Sequence, residues 1–308
     1  MGTTSGALAA SVIDALVDQD VSFAVLHRAA ELHDGKVESD IDLVVADPPL
    51  VLMRRLRSAL GRLDLNTVMV WRYDAGQTLT FFLARSDLGE GVQLDLLCDP
   101  LGHGKYGIRT GVLLEETQRA EWPQLLPLPG KLYLLRKRIV KGQQDRVSQL
   151  VTELGAFSSE EIERSIDRLL VRKAAHSVRA ALVGELTRSA SATPWLARAS
   201  RLGGRILNPT GAWVHGDRLA PEAAREIAGH LQRFIPRVEV GPARGRSWRL
   251  RHIEPLRRRP AVVISYGHVA PGTPDVTLSG STGRLVAAEV SSGLADLTQR
   301  RWFGEERS

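Results

Sequence analysis

The stretch Ser39-Asp40-Ile41-Asp42-Leu43-Val44-Val45 decides how this chain is read. Successive side chains on a strand point to opposite faces, so Asp40 and Asp42 project together while Ile41 and Leu43 enter the core. Two carboxylates about 6–7 Å apart along a strand end repel one another unless a cation sits beside them. A hard divalent ion, Mg²⁺ or Mn²⁺, suits such oxygens, because it takes a few carboxylates and completes its shell with phosphate oxygens. A third acid, Asp95, lies in the alternating run VQLDLLCDP (92–100), a strand that can pair beside the first. The expectation is that Asp40, Asp42 and Asp95 form one metal-binding, catalytic group.

Outward from this stretch the chain reads as α/β (α+β). Residues 7–18 have helical spacing, 21–26 form an apolar strand, and 50–63 form a helix with arginines on its outer side. Three β-rich runs follow at 67–73, 78–84 and 92–97, separated by turn residues, which predicts an antiparallel meander. The run KLYLLRKRIVKG (131–142) predicts a helix with leucines on one side and a solvated basic face on the other. A single long helix is expected over 158–186, opened by Ser159 as N-cap before Glu160 and Glu161. Beyond a Pro/Gly-marked boundary near 194–209 come a helix over 221–234 and short strands at 212–214, 238–240, 261–265, 276–278 and 285–290. The predicted organisation is a catalytic domain at 1–128, a helical region at 129–205 and a small α/β unit at 206–308.

The 308 residues, 43% hydrophobic and 25% charged, suit a globular protein of about two domains. The one cysteine, Cys98, forms no intramolecular disulfide and no Cys-pair zinc site, so a reducing cytoplasm is the expected setting and a small buried hydrophobe its expected role. No apolar run reaches the roughly 18 residues of a membrane span, and the first residues lack a signal peptide's basic start. Residues 1–150 carry 17 Lys and Arg against 19 Asp and Glu, and residues 151–308 carry 24 against 16. Eight arginines cluster between Arg237 and Arg259. That surface suits a polyanion such as nucleic acid, or simply a solvated face.

The pattern of an apolar strand, a spacer, Asp-x-Asp between apolar residues and a later third acid resembles the nucleotidyltransferase superfamily of the DNA polymerase β type. The strings FAVLHRAAELHDGKVESDIDLVV, WRYDAGQTLTFFLARSD, VQLDLLCDPLGHGKYGIRT and LYLLRKRIVKGQ look like bacterial nucleotidyltransferase-like proteins, many with a thymidylate-kinase-like C-terminal half. The resemblance covers about residues 20–145. It departs where His27-Arg28 stands in place of the family's Gly-Ser. It implies a mixed sheet with flanking helices, Asp40, Asp42 and Asp95 as metal ligands, and Asp95 as base toward an acceptor hydroxyl. It further implies phosphate contacts from Arg28 and Ser39, with Lys137 and Lys141 on the triphosphate or leaving pyrophosphate, while His27 reads as either a packed histidine or a phosphate contact. His103 and Tyr106, in DPLGHGKYG (99–107), are candidates for an acceptor pocket, and Asp99 for a turn.

Residues 208–240 preserve the outline of a strand, turn and helix of a P-loop unit, but HGDRLAPEA (215–223) supplies neither the phosphate lysine nor the Ser/Thr. This half is expected to be a degenerate P-loop-like unit that packs, dimerises or binds an acceptor. The function implied is Mg²⁺-dependent transfer of an NMP from an NTP such as ATP to a hydroxyl or phosphate of a small biosynthetic acceptor, a sugar, sugar phosphate or natural-product intermediate. The alternatives are an RNA- or tRNA-modifying nucleotidyltransferase and a non-catalytic nucleotide-binding or scaffold protein. A membrane partner is not expected, and a homodimer is compatible with the Arg-rich C-terminal unit.

Overall fold

The computed structural model describes residues 4–26, 32, 40–72, 78–118, 122–185, 211–243, 262–267, 274–280 and 284–304. In chain order the first elements are α1 (Thr4–Asp18), β1 (Phe23–Val25), β2 (Asp40–Val45), α2 (Pro49–Arg62), β3 (Leu65–Arg72), β4 (Thr78–Arg85) and β5 (Gly91–Leu97). A helical stretch follows: α3 (Thr110–Glu115), two short strands β6 (Thr117–Gln118) and β7 (Gln124–Leu125), then α4 (Pro127–Lys141), α5 (Gln144–Leu154), α6 (Ser159–Leu169) and α7 (Arg172–Leu182). The last part holds β8 (Ala212–Gly216), α8 (Pro221–Gln232), β9 (Val238–Pro242), β10 (Val262–Tyr266), β11 (Val276–Thr277) and α9 (Arg284–Thr298), which runs into a π-helical turn at Gln299–Phe303.

The protein is mixed α/β, with a seven-stranded mixed sheet in the order β3-β4-β5-β2-β1-β7-β6 and a four-stranded sheet in the order β11-β8-β10-β9. The meander read from the sequence is present: β3 pairs β4, and β4 pairs β5, both antiparallel. β5 then lies parallel to β2, with Asp95 opposite Asp42. In the second sheet β10 runs parallel to β8 and β9, and β11 parallel to β8.

Alternation gives the large sheet two different faces. Ile41, Leu43, Val45, Leu79, Phe81, Leu83, Val92, Leu94 and Leu96 pack on one face against α1 and α2, through Val12, Ile13, Leu16, Leu52 and Leu56. The opposite face is shared. Near β1 and β2, Ala24, Leu26, Val44 and Leu97 meet the helical stretch through Leu132, Leu135 and Val178. Near the β3 edge, Met69, Trp71, Phe82 and Ala84 meet the C-terminal elements, including Val290 and Leu294 of α9. Hydrogen bonds from Thr298 Oγ1 to the Val68 carbonyl (3.0 Å) and from Ser291 Oγ to the Arg85 carbonyl (3.2 Å) fix α9 on these strands.

Three local expectations change. The run 285–290 is helical rather than extended, because Val286, Val290, Leu294 and Leu297 fall on one buried stripe of α9. The helix expected over 158–186 is two, α6 and α7, parted where Leu170 forms an isolated bridge to Ile108. The cap of α6 is Ser158, not Ser159: its Oγ accepts the Glu161 N–H at 3.2 Å while the Glu161 carboxylate accepts the Ser158 N–H at 2.9 Å.

Candidate functional site

A polar row crosses the second face of the large sheet between its two apolar coverings. Register places Asp42 beside Asp95 on the parallel neighbour, and Asp95 beside Thr80 on the antiparallel one. One step along the strands, Asp40 lies opposite Gln93. The spacing argument for Asp40 and Asp42 therefore holds, and the pairing adds Asp95 to the same face. Asp40, at the exposed start of β2, and the buried Asp42 line a cavity of about 170 Å³ with Thr78, Gln93, Asp95, Tyr106, Tyr133, Lys137 and Lys141.

Each acid sits in a different electrostatic setting. Asp42 is only 9% exposed, and its Oδ2 lies 2.9 Å from Lys137 Nζ. Asp95 is half-buried and accepts a hydrogen bond from Gln93 Nε2 at 3.1 Å and another from the Thr80 hydroxyl. Burial first, then the facing Asp42 carboxylate, pushes the Asp95 carboxyl up to about 7, against the opposing pull of Thr80, Lys137 and Gln93. Burial works to lower the Lys137 ammonium, but the charge and hydrogen bond of Asp42 outweigh it and hold its pKa above the ordinary lysine value. Lys141, one turn further along α4, is lowered, chiefly by burial and then by Lys137.

The solvated basic face expected for α4 therefore forms only in part, with Lys141 exposed. Arg136 (7% exposed) and Lys137 (8%) are buried, since this helix packs between α5, α7 and the sheet. Arg136 donates through Nε to the Tyr106 carbonyl (2.8 Å) and through Nη1 to Ser177 Oγ (2.9 Å), tying the 99–107 loop to α4 and α7. Tyr106 and Tyr133 meet edge to face at 6.4 Å, and Lys137 Nζ stands 5.6 Å from the Tyr133 ring centre. Tyr106 thus lines the cavity as expected. His103 does not, being exposed on the outside of its loop. Asp99 is the turn residue it was read to be: its carboxylate accepts the N–H groups of His103 (2.9 Å) and Gly104 (2.7 Å). Cys98 is buried against Ala46. His27, Arg28 and Ser39 lie outside the described residues, as do positions 244–261 of the arginine cluster.

Sequence reading missed Thr80, Gln93 and Tyr133. Thr80 carried a signal: Thr78 and Thr80 are the two polar residues, two apart, of a strand that is otherwise apolar up to Arg85. Gln93 alternates with Asp95 in the same way. Tyr133 carried none, because its heading depends on how α4 docks.

The donor chemistry suits a hard divalent ion, since three carboxylates open onto one cavity and the charge of Lys137 rests against Asp42 where a cation would bind. No three His, Cys, Asp or Glu side chains gather as a ready metal-holding group among the described residues. The fit is one of donors, with Lys137 as the competing cation.

The second sheet offers no comparable site at the turn after β8, the stretch read from the sequence as a degenerate P-loop. Leu219, 3% exposed, folds back so that its N–H donates to the Gly216 carbonyl at 3.2 Å. A Cβ on Gly216 would stand 2.9 Å from Leu219 Cβ, so the turn is closed onto the strand. The following helix opens with Pro221 and Glu222, which removes a donor N–H and adds a negative charge where a phosphate would need the reverse.

Fold and site together define a mixed α/β protein with a buried acid–lysine cavity on its larger sheet. No protein-family model matches the chain, and no curated protein or solved structure does so either. No helix among the described residues is long and apolar enough to cross a membrane.

Proposed function

We propose that the chain is a divalent-metal-dependent nucleotidyltransferase that moves an NMP from an NTP to a hydroxyl or phosphate of a small acceptor, releasing pyrophosphate. The observation that carries this reading is the side-by-side register of Asp42 and Asp95 on parallel strands, facing a cavity that also holds Asp40, Lys137 and Lys141. Acids and lysines around one small space suit a reaction that gathers negative charge and needs it neutralised. An ion held by Asp40, Asp42 and Asp95 supplies Lewis-acid charge at the reacting phosphate. Asp95 faces the same space and takes the acceptor's hydroxyl proton in this reading. Lys141 faces the same space and is placed to hold a phosphate oxygen, while Lys137 is the charge free to exchange Asp42 for the nucleotide. His27, Arg28 and Ser39 complete the phosphate contacts in this reading.

The Lys137–Asp42 pair favours a second reading, a nucleotide-binding or scaffold protein that balances its acids internally. One experiment separates the two: thermal stabilisation by ATP, GTP, CTP and UTP, each with and without Mg²⁺, for the native chain and for Asp40→Asn and Asp42→Asn. A nucleotide at about 100 times its Kd adds roughly 2.7 kcal/mol. The transferase reading expects stabilisation by one nucleotide that requires Mg²⁺ and both aspartates. Stabilisation independent of Mg²⁺ supports the binding protein, and none by any nucleotide removes the transferase and leaves the scaffold.

A further inference from the structure

A cavity of about 590 Å³ lies away from the acid–lysine site, at the β3 edge of the large sheet. Its floor is the start of edge strand β3, with Leu65, Asn66 and Thr67. One wall is a stripe of α2 carrying Met53, Arg54, Arg57, Leu60 and Gly61, spaced to share a helix face. The facing wall is a stripe of α9 and its π-helical turn, with Ala295, Asp296, Gln299 and Phe303. π-Helical turns add a residue to the helix and often mark a place where a side chain has been re-aimed for function. Here the turn brings the Phe303 carbonyl to Arg54, whose Nη2 donates to it at 3.1 Å, so the guanidinium is held at the cavity mouth.

We propose that this hollow is a second ligand site, taking a small ring-bearing phosphate monoester. Its volume falls within the range of small-molecule pockets, about 300–1,000 Å³. Arg54 and Arg57 stand less than one helical turn apart, the arrangement that meets a phosphate with planar, forked donors. Phe303 gives the ring an apolar face beside the buried Met53, Leu60 and Leu65, and Asn66 and Gln299 offer it hydrogen bonds. Asp296 on the opposite wall accepts a hydroxyl or amino group and repels a second negative charge. The site therefore selects one compact anionic group on a neutral body, not a polyphosphate chain. β4 and β5 separate its floor strand from β2, so its centre lies about 14 Å or more from Asp42 and the proposal is independent of the transferase reading.

The probe is para-nitrophenyl phosphate, titrated calorimetrically into the full chain, beside para-nitrophenol and inorganic phosphate as its two halves. The whole molecule is expected to bind at least about tenfold more tightly than either half. Gly61 supplies a blocking variant: it lines the hollow and a Cβ there meets nothing within 4 Å, so Gly61→Phe adds a ring at the wall with no clash at its first atom. Gly61→Phe should abolish binding while its melting temperature holds, Arg54→Met should weaken binding about tenfold, and Asp42→Asn should leave it unchanged. Undiminished binding in Gly61→Phe, loss of binding in Asp42→Asn, or no binding of the native chain at roughly millimolar probe would each overturn the assignment.

Discussion

The two sheets treat the polar ends of their strands in opposite ways. In the seven-stranded sheet Asp42 and Asp95, in one row with Thr80, line a cavity in which Lys137 balances Asp42. In the four-stranded sheet the turn after β8 is sealed by Leu219, against which Gly216 fits because it has no Cβ. Facing carboxylates raise one another's pKa and cost stability, whereas a buried leucine contributes it. On the proposed reading the first sheet carries the chemistry and the second serves packing.

The largest break in that contrast should come from Lys137→Met. Removing the ammonium takes the Lys137 charge away from the buried Asp42, a loss of roughly 3–5 kcal/mol. Urea unfolding should also show that Lys137→Met with Asp42→Asn recovers most of it. If the single and double variants are equally weakened, the pair is not the source of the cost.

Leu219→Ala should come next, at about 3 kcal/mol, because Leu219 is part of the C-terminal core and the turn cannot collapse onto the strand without it. Opening this turn should confer no nucleotide binding, since Pro221 and Glu222 still head the helix. Nucleotide-dependent stabilisation of Leu219→Ala beyond that of the native chain would break the comparison directly.

A smaller effect concerns pH. The Asp95 carboxyl, at about 7 in the folded chain, lies above its unfolded value of about 4. Between those values the folded state binds more protons, so the native chain should lose stability as pH rises through this window. Asp95→Asn should remove that decline and melt a few degrees above the native chain at alkaline pH. A native melting temperature that rises over the same window would contradict the raised carboxyl.

Ser158→Ala provides the smallest change, about 1 kcal/mol, by removing the capping box of α6. It touches neither sheet, so nucleotide stabilisation of this variant should equal that of the native chain. Any selective loss there would place the site in the helical stretch instead.

Much of the large sheet was legible because its strands alternate. The period of two in DIDLVV and VQLDLL assigned Asp40, Asp42 and Asp95 to faces before any pairing was known. The meander followed from turn residues between β-rich runs. α9 was misread as a strand because Leu285–Val290 taken alone is a short apolar run, and its helical stripe appears only when Leu294 and Leu297 are included. The split of α6 from α7 was hidden too, since Leu170 leaves the helix to bridge Ile108, a partner 62 positions away.

By itself the sequence determined which side chains share a strand face, where caps and turns fall, and that the C-terminal turn lacks a phosphate lysine. These are local properties, set by the backbone period and by residue type. Only the tertiary structure decided that Asp95 stands beside Asp42, that Lys137 is buried against it, and that Leu219 closes the second turn. Those outcomes depend on strand register and on the docking of α4 and β8 against distant elements. Local pattern carries no information about register between strands 50 residues apart or about which face of a basic helix turns inward, because long-range packing sets both.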